Sequence, residues 1–117
     1  MVKSVGGDWT RFLELPDLME VDFHHEDAGN PWVRKTPYWQ RMEEVWSNAL
    51  GALKSAQDDG YKYVLFKHGS STSRPGNTTT RSQIRGLIRS TESTPFVIKS
   101  RSKQHYSVFL AVIRPKD

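Results

Sequence analysis

The sequence predicts a single α/β domain with a two-layer β-α-β-α-β-β arrangement, in which a mixed sheet of about four strands packs against two helices. Three observations support this class. Residues 19–24 alternate apolar and polar side chains as a strand does, residues 61–68 form a second β-rich run, and a long segment with helical periodicity separates them. A strand, a helix and another strand in this order form a right-handed crossover between parallel strands.

Residues 1–18 show no clear period, and we expect them to form an N-terminal arm in front of a single domain that spans residues 19–117. The first predicted strand alternates apolar with polar residues, in the order Met19, Glu20, Val21, Asp22, Phe23 and His24. Because successive side chains of a strand point to opposite faces, Asp22 and His24 are expected on the same side.

The long helix is predicted to begin with Thr36 as its N-cap and Pro37 as its first residue, and to end at Gly60. Its apolar residues recur at intervals of three and four, which predicts one buried stripe. These residues are Trp39, Met42, Val45, Trp46, Ala49, Leu50, Leu53 and Ala56.

A second helix is predicted to start at Thr80, with Gln83 in capping-box spacing. Its expected buried side consists of Ile84, Leu87 and Ile88. Residues 94–99 and 106–114 then predict two strands, joined by the polar and basic residues 100–105.

The composition excludes several classes of protein. Hydrophobic residues make up 36% of the 117 residues, which is enough for a core of ordinary size. The chain contains no cysteine, which excludes disulfides, thiolate zinc sites and cysteine nucleophiles. No apolar run is long enough for a signal peptide or a membrane span, so we expect a cytoplasmic protein without membrane contact. No cofactor is expected.

The charge is distributed unevenly along the chain. Residues 1–61 contain 6 Lys and Arg and 11 Asp and Glu, a net charge of −5. Residues 62–117 contain 11 Lys and Arg, with Glu92 and Asp117 as their acidic residues, a net charge of +9. A clustered positive charge attracts polyanions, which indicates DNA or RNA as a partner. The alternative is a solvated basic face that keeps the protein in solution.

A long loop, rich in Ser, Thr, Gly and Arg, precedes the second helix and is expected to bind phosphate. The backbone N–H groups at the start of a helix favour an anion, and hydroxyl and guanidinium groups add donors. No Gly-Lys-Ser or Gly-Lys-Thr follows, so a nucleotide-triphosphate loop is not predicted. The candidate phosphate-binding residues here and in the basic segments that follow are Gly69, Ser70, Ser71, Thr72, Arg74, Arg81, Arg85, Arg89, Lys99, Arg101 and Lys103. A flexible, solvated connection is the alternative interpretation of the loop.

Titratable side chains cluster at the ends of the first two strands. Asp22, His24, His25 and Glu26 are expected at the carboxyl end of the first strand and His68 at that of the second, where open α/β sheets bind ligands. Two imidazoles and a carboxylate can perform acid–base chemistry on a phosphodiester. A metal site is disfavoured, because the adjacent His24 and His25 point to opposite faces of a strand and no spacing motif supports it. Its ligands would be His24, His25, Glu26, Asp27 and His68.

These two strand ends resemble motifs of the Smr (small MutS-related) domain family. In that family the first strand ends in Asp-Leu-His-Gly and the second in His-Gly-x-Gly. The counterparts here are Asp22-Phe23-His24-His25 and His68-Gly69-Ser70-Ser71, with His25 and Ser71 in place of two glycines. The resemblance follows the element order over residues 19–114. It implies an Smr-like fold, binding of DNA or RNA, and a metal-independent nicking endonuclease in which Asp22, His24 and His68 are catalytic.

Three hypotheses of function follow from the sequence. The first is a small, Smr-like nucleic-acid-binding protein with or without endonuclease activity. The second is a non-enzymatic module that binds a protein partner through its acidic N-terminal half and exposed aromatic residues such as Trp9 or Trp32. The third is a small phosphoester hydrolase that uses the same crevice at the strand ends.

Overall fold

A computed structural model describes residues 2–23, 38–68 and 80–116. Within these ranges the chain forms five strands, β1 (Lys3–Ser4), β2 (Leu18–Asp22), β3 (Tyr63–Lys67), β4 (Lys103–Gln104) and β5 (Val108–Val112). Two α-helices, α1 (Tyr38–Asp58) and α2 (Thr80–Arg89), accompany three short 3₁₀ helices, Trp9–Glu14, Thr91–Ser93 and Lys99–Arg101. Among the described residues no helix combines the length and the apolar character that a membrane span requires.

The five strands form one mixed sheet in the order β1-β4-β5-β3-β2. β2 and β3 are parallel, in a register that runs from Leu18 opposite Tyr63 to Asp22 opposite Lys67, and α1 lies between them in the chain. β5 is antiparallel to both β3 and β4. The α/β prediction is confirmed. The sheet has one strand more than expected because Lys3–Ser4 pairs with β4 and forms an additional edge strand.

The main core lies between the sheet and the two helices. Val64 and Phe66 on β3 are fully buried against apolar residues of α1 and α2. The predicted stripes are confirmed at Val45, Ala49, Leu53, Ala56, Ile84, Leu87 and Ile88, which are all buried. Trp46 is half-buried at the edge of this core, and its indole N–H donates to Glu92 Oε2 at 3.0 Å.

The end of α1 was predicted at Gly60, and the backbone there explains why a glycine suits this position. Gly60 has a φ of +81°, a conformation that side chains with a Cβ rarely adopt. Its N–H donates to Gln57 O at 3.4 Å, and the next N–H, of Tyr61, donates to Ala56 O at 2.9 Å. These two bonds form a Schellman motif, which satisfies the last carbonyl groups of the helix. Thr36 and Pro37 lie outside the described residues.

The second face of the sheet has its own smaller core. Leu65, Val108 and Leu110 are buried there, and the apolar residues that cover them are Trp9, Phe12, Leu15, Leu18 and Tyr63. The segment from Trp9 to Leu15 therefore covers a sheet face that would otherwise expose apolar side chains to water. Trp9 is half-buried in this contact and not exposed as expected, and the centre of its ring lies 5.9 Å from Lys67 Nζ.

The strand predicted for residues 94–99 is wrong. Val97 alone of this segment makes a β-bridge, to Ile113, and the second to last strand is instead Lys103–Gln104, inside the predicted connection. The reason is the buried Ser93. Its hydroxyl donates to Ile88 O at 3.0 Å, while its carbonyl accepts the N–H groups of Phe96 and Val97. These bonds hold the chain in a turn instead of an extended conformation.

Candidate nucleic-acid interface

The carboxyl ends of β2 and β3 lie side by side, as the sequence predicts. Asp22 is opposite Lys67, and the N–H of Phe23 donates to Lys67 O at 2.9 Å. The backbone of Asp22 and that of His68, the residue after β3, are therefore neighbours at one edge of the sheet. His24 lies outside the described residues.

The side chains at this edge occupy opposite faces of the sheet. Alternation along the strands places Asp22 on the face of Glu20 and Lys67, whose side chains form an ion pair at 2.7 Å. His68 follows Lys67 and by the same alternation lies on the helix-covered face with Phe66, with 0% of its surface exposed. An exposed carboxylate and a fully buried imidazole therefore lie on different faces of the sheet. The catalytic roles of Asp22, His24 and His68 stay predictions.

Much of the predicted phosphate loop lies outside the described residues. This applies to Gly69, Ser70, Ser71, Thr72 and Arg74, and to His25 and Glu26 of the disfavoured metal site. The described residues resume at Thr80, which is buried. Thr80 is the first helical residue of α2, whereas the sequence predicted it as the N-cap in front of the helix. The described part of the candidate interface therefore begins at α2.

Three arginines line one side of α2 at intervals of four residues. Arg81 donates from Nη1 to Tyr106 O at 3.3 Å, and its guanidinium carbon lies 4.7 Å from the centre of the Tyr106 ring. Arg85 donates from Nη2 to His105 O at 3.2 Å. Arg89 is exposed, and no described residue contacts its side chain through a hydrogen bond or ion pair. We call Arg81, Arg85 and Arg89 the α2 arginine row.

The electrostatic environment of the row is positive. Burial, together with the charges of Arg81 and Arg89, lowers the pKa of Arg85 from its ordinary value, although a guanidinium remains charged at neutral pH. Arg85 Nε is buried and has no hydrogen-bond partner among the described residues. The ion pairs within the described part of the chain join Lys62 to Asp17, Lys67 to Glu20 and Lys116 to Asp58. None of them neutralises the arginine row.

The other predicted basic residues divide into structural and exposed groups. Lys99 Nζ donates to Ser90 O at 2.8 Å, next to the C-terminus of α2, where a cation also interacts favourably with the helix dipole. Lys99 therefore has a structural contact. Arg101 is exposed and its side chain has no polar partner within the described ranges.

Lys103 lies beside a groove that the sequence did not predict. The groove has a volume of about 270 Å³ and is lined by Val5, Gly6, Gly7, Asp8, Arg11, Phe12 and Lys103. Lys3 lies opposite Lys103 in the parallel pair of β1 and β4. Two cations of the acidic N-terminal half, Lys3 and Arg11, thus join the basic C-terminal half in space. No local pattern indicates this, because the contact depends on pairing across the whole chain.

The structure also adds Tyr106 to the candidate interface. This residue lies between β4 and β5 beside Arg81, and 56% of its surface is exposed. The sequence signal was only an aromatic residue in a basic, polar segment, and it did not reveal the contact with a helix that begins 26 residues earlier.

Comparisons with models of protein families, with curated proteins and with solved structures found no match. The Smr resemblance therefore stays a prediction from two short motifs, and the function is argued from the residues of this chain.

Proposed function

We propose that this protein binds the sugar-phosphate backbone of nucleic acids, with the α2 arginine row at the centre of the interface. The observation that carries this proposal is a line of three guanidinium groups on one helix side that no acidic side chain among the described residues neutralises. Burial is the main cause of the lowered pKa of Arg85, and the charges of Arg81 and Arg89 add to it.

Repulsion between the arginines of the row destabilises the free protein, and a bound polyanion would relieve it. Like charges four residues apart on a helix are destabilising by about 0.2–0.5 kcal/mol per pair, and the row contains the pairs Arg81–Arg85 and Arg85–Arg89. Phosphate oxygens relieve this repulsion and accept paired hydrogen bonds from a guanidinium. A row from Arg81 to Arg89 extends over about 12 Å along the helix axis, which corresponds to roughly three phosphates of one strand.

Binding is the proposed primary activity. Asp22 is exposed, His68 is completely buried on the other face of the sheet, and His24, the third predicted catalytic residue, lies outside the described residues. Endonuclease activity remains a second proposal that rests on the Smr-like motifs, and the same experiment detects it.

The test is fluorescence anisotropy with labelled single- and double-stranded DNA and RNA across a salt series. Arg89→Gln removes one exposed cation without a polar partner in the described structure, so folding should be unaffected. We expect weaker binding and a salt slope that is smaller by about 0.9 on a duplex or about 0.7 on a single strand if one phosphate contact is lost. Lys62→Gln is the matched control, because Lys62 is also exposed but lies beside Asp17, before β3 and away from α2.

Two outcomes would overturn the proposal. Absence of binding at low salt excludes a nucleic-acid partner, and an equal effect of Arg89→Gln and Lys62→Gln assigns binding to total charge instead of the arginine row. Gel electrophoresis of the same mixtures tests cleavage. A cleavage rate that is unchanged in both His24→Ala and His68→Ala would exclude these two residues as catalytic.

A further inference from the structure

The turn between β4 and β5 presents an aromatic ring beside the arginine row. Tyr106 is 56% exposed, more than Leu13 at 41% or Tyr61 at 37%, the other exposed large apolar residues of the described chain. Arg81 lies over its ring at 4.7 Å and also donates to its backbone carbonyl. An aromatic ring and a guanidinium plane are therefore held together at the surface.

The backbone on either side of Tyr106 is fixed although its ring is exposed. His105 is buried, its N–H donates to Val108 O at 2.9 Å, and its Nδ1 accepts the N–H of Ser107 at 3.0 Å. Arg85 donates to the carbonyl of His105. The backbone that carries the ring is thus fixed before any ligand binds, which reduces the entropy that binding costs.

A ring in this position can stack on a base whose face is accessible. Aromatic side chains and guanidinium planes stack on nucleobases of any sequence, while neighbouring cations contact the phosphates. In a duplex each base face is covered by the next base pair, so only unpaired bases can reach the ring.

We propose that Tyr106 and Arg81 form a stacking platform for an unpaired nucleobase, so that the preferred substrate class is single-stranded nucleic acid. This inference rests on the proposed function, because Arg81 belongs to both the row and the platform. The row supplies charge attraction that any nucleic acid satisfies, and the platform selects strands whose bases are unpaired.

The test compares three labelled probes of equal length: an oligoadenylate single strand, a single strand of abasic sites and a duplex. We expect Tyr106→Ala to weaken binding of the oligoadenylate by about 5- to 150-fold, with the salt slope unchanged because no phosphate contact is lost. Tyr106→Phe should keep wild-type affinity, since stacking uses the ring and not the hydroxyl. Binding of the duplex and of the abasic strand should not respond to Tyr106→Ala.

Tyr61→Ala is the matched control, because it removes another exposed tyrosine, next to Gly60 at the end of α1. Equal thermal unfolding of all variants checks the fold. If Tyr106→Ala binds the oligoadenylate as tightly as the wild type, or if the wild type prefers the duplex, the platform is excluded while backbone binding by the row stands. If the wild type binds none of the three probes, the proposed function itself fails.

Discussion

His105 should hold the N-terminal segment on the domain, and amide substitutions can separate its two hydrogen bonds. Nδ1 accepts the N–H of Ser107 at 3.0 Å, so in this arrangement Nε2 carries the proton and donates to Gly7 O at 2.8 Å. His105→Asn places an amide oxygen near the position of Nδ1 and retains the Ser107 bond. His105→Gln places an amide nitrogen near Nε2 and retains the Gly7 bond.

The expected magnitudes follow from the burial of the ring, which is 8% exposed. Loss of one hydrogen bond to a partly buried partner costs about 1–3 kcal/mol. His105→Ala, which loses both bonds and leaves space, should therefore lower the free energy of unfolding by about 2–4 kcal/mol. Each amide variant should lose about half as much.

The two amide variants should differ in how tightly residues 2–15 are held. These residues are joined to the sheet by few backbone bonds, including Lys3 N to Ser102 O at 3.1 Å and Val5 N to Gln104 O at 2.9 Å. His105→Asn loosens the segment, so trypsin should cut after the exposed Arg11 faster than in His105→Gln or the wild type. Cleavage after Lys54, within α1, reports global unfolding and is the internal control, which should be equal in the two amide variants.

Urea unfolding followed by circular dichroism gives the stability, and mass spectrometry identifies the cut. Equal cleavage rates after Arg11 in the wild type and His105→Asn, together with equal stability, would refute the role of the Gly7 bond. Faster cleavage in His105→Gln than in His105→Asn would show that the β4–β5 turn, and not Gly7, holds the segment.

Two further predictions concern glycine conformation and the pH dependence of a helix cap. Gly51 is exposed inside α1, and a Cβ there meets open space, so Gly51→Ala should raise the free energy of unfolding by about 0.5–1 kcal/mol. Gly60→Ala should lower the free energy of unfolding by about 1–2 kcal/mol, because the φ of Gly60 is +81°. Urea unfolding measures both changes, and changes of the same sign would contradict the reasoning. Asp8 accepts the N–H and the hydroxyl of Thr10 at the start of the 3₁₀ helix Trp9–Glu14, and these bonds lower the pKa of its carboxyl group. Since the pKa is lower in the folded state, the stabilisation is complete above the ordinary Asp pKa of about 3.9 and disappears as the pH falls through the lower, folded value. The stability difference between the wild type and Asp8→Ala should therefore be constant at neutral pH and vanish in strong acid, and a difference that persists there would contradict the charge-based explanation.

The sequence determined the elements whose signals are local. The apolar stripes of α1 and α2, the glycine stop at Gly60 and the parallel pair around α1 all follow from periodicities within about 20 residues. Part of the candidate site was predictable in the same way. The charge asymmetry indicated that the basic residues of the C-terminal half, including Arg81, Arg85 and Arg89, form the interface, and the crossover placed the ends of β2 and β3 side by side.

Tertiary structure alone decided the features that join distant parts of the chain. The bond between Gly7 and His105 spans 98 residues, and the contact of Arg81 with Tyr106 spans 25. The cover of Leu65, Val108 and Leu110 comes from an N-terminal segment without any period. The turn at Ser93 overrode a plausible strand pattern because buried hydrogen bonds outweigh β-propensity, which depends on context. Each of these outcomes depends on which partner is in reach after the sheet has formed, and residue spacing along the chain does not contain that information.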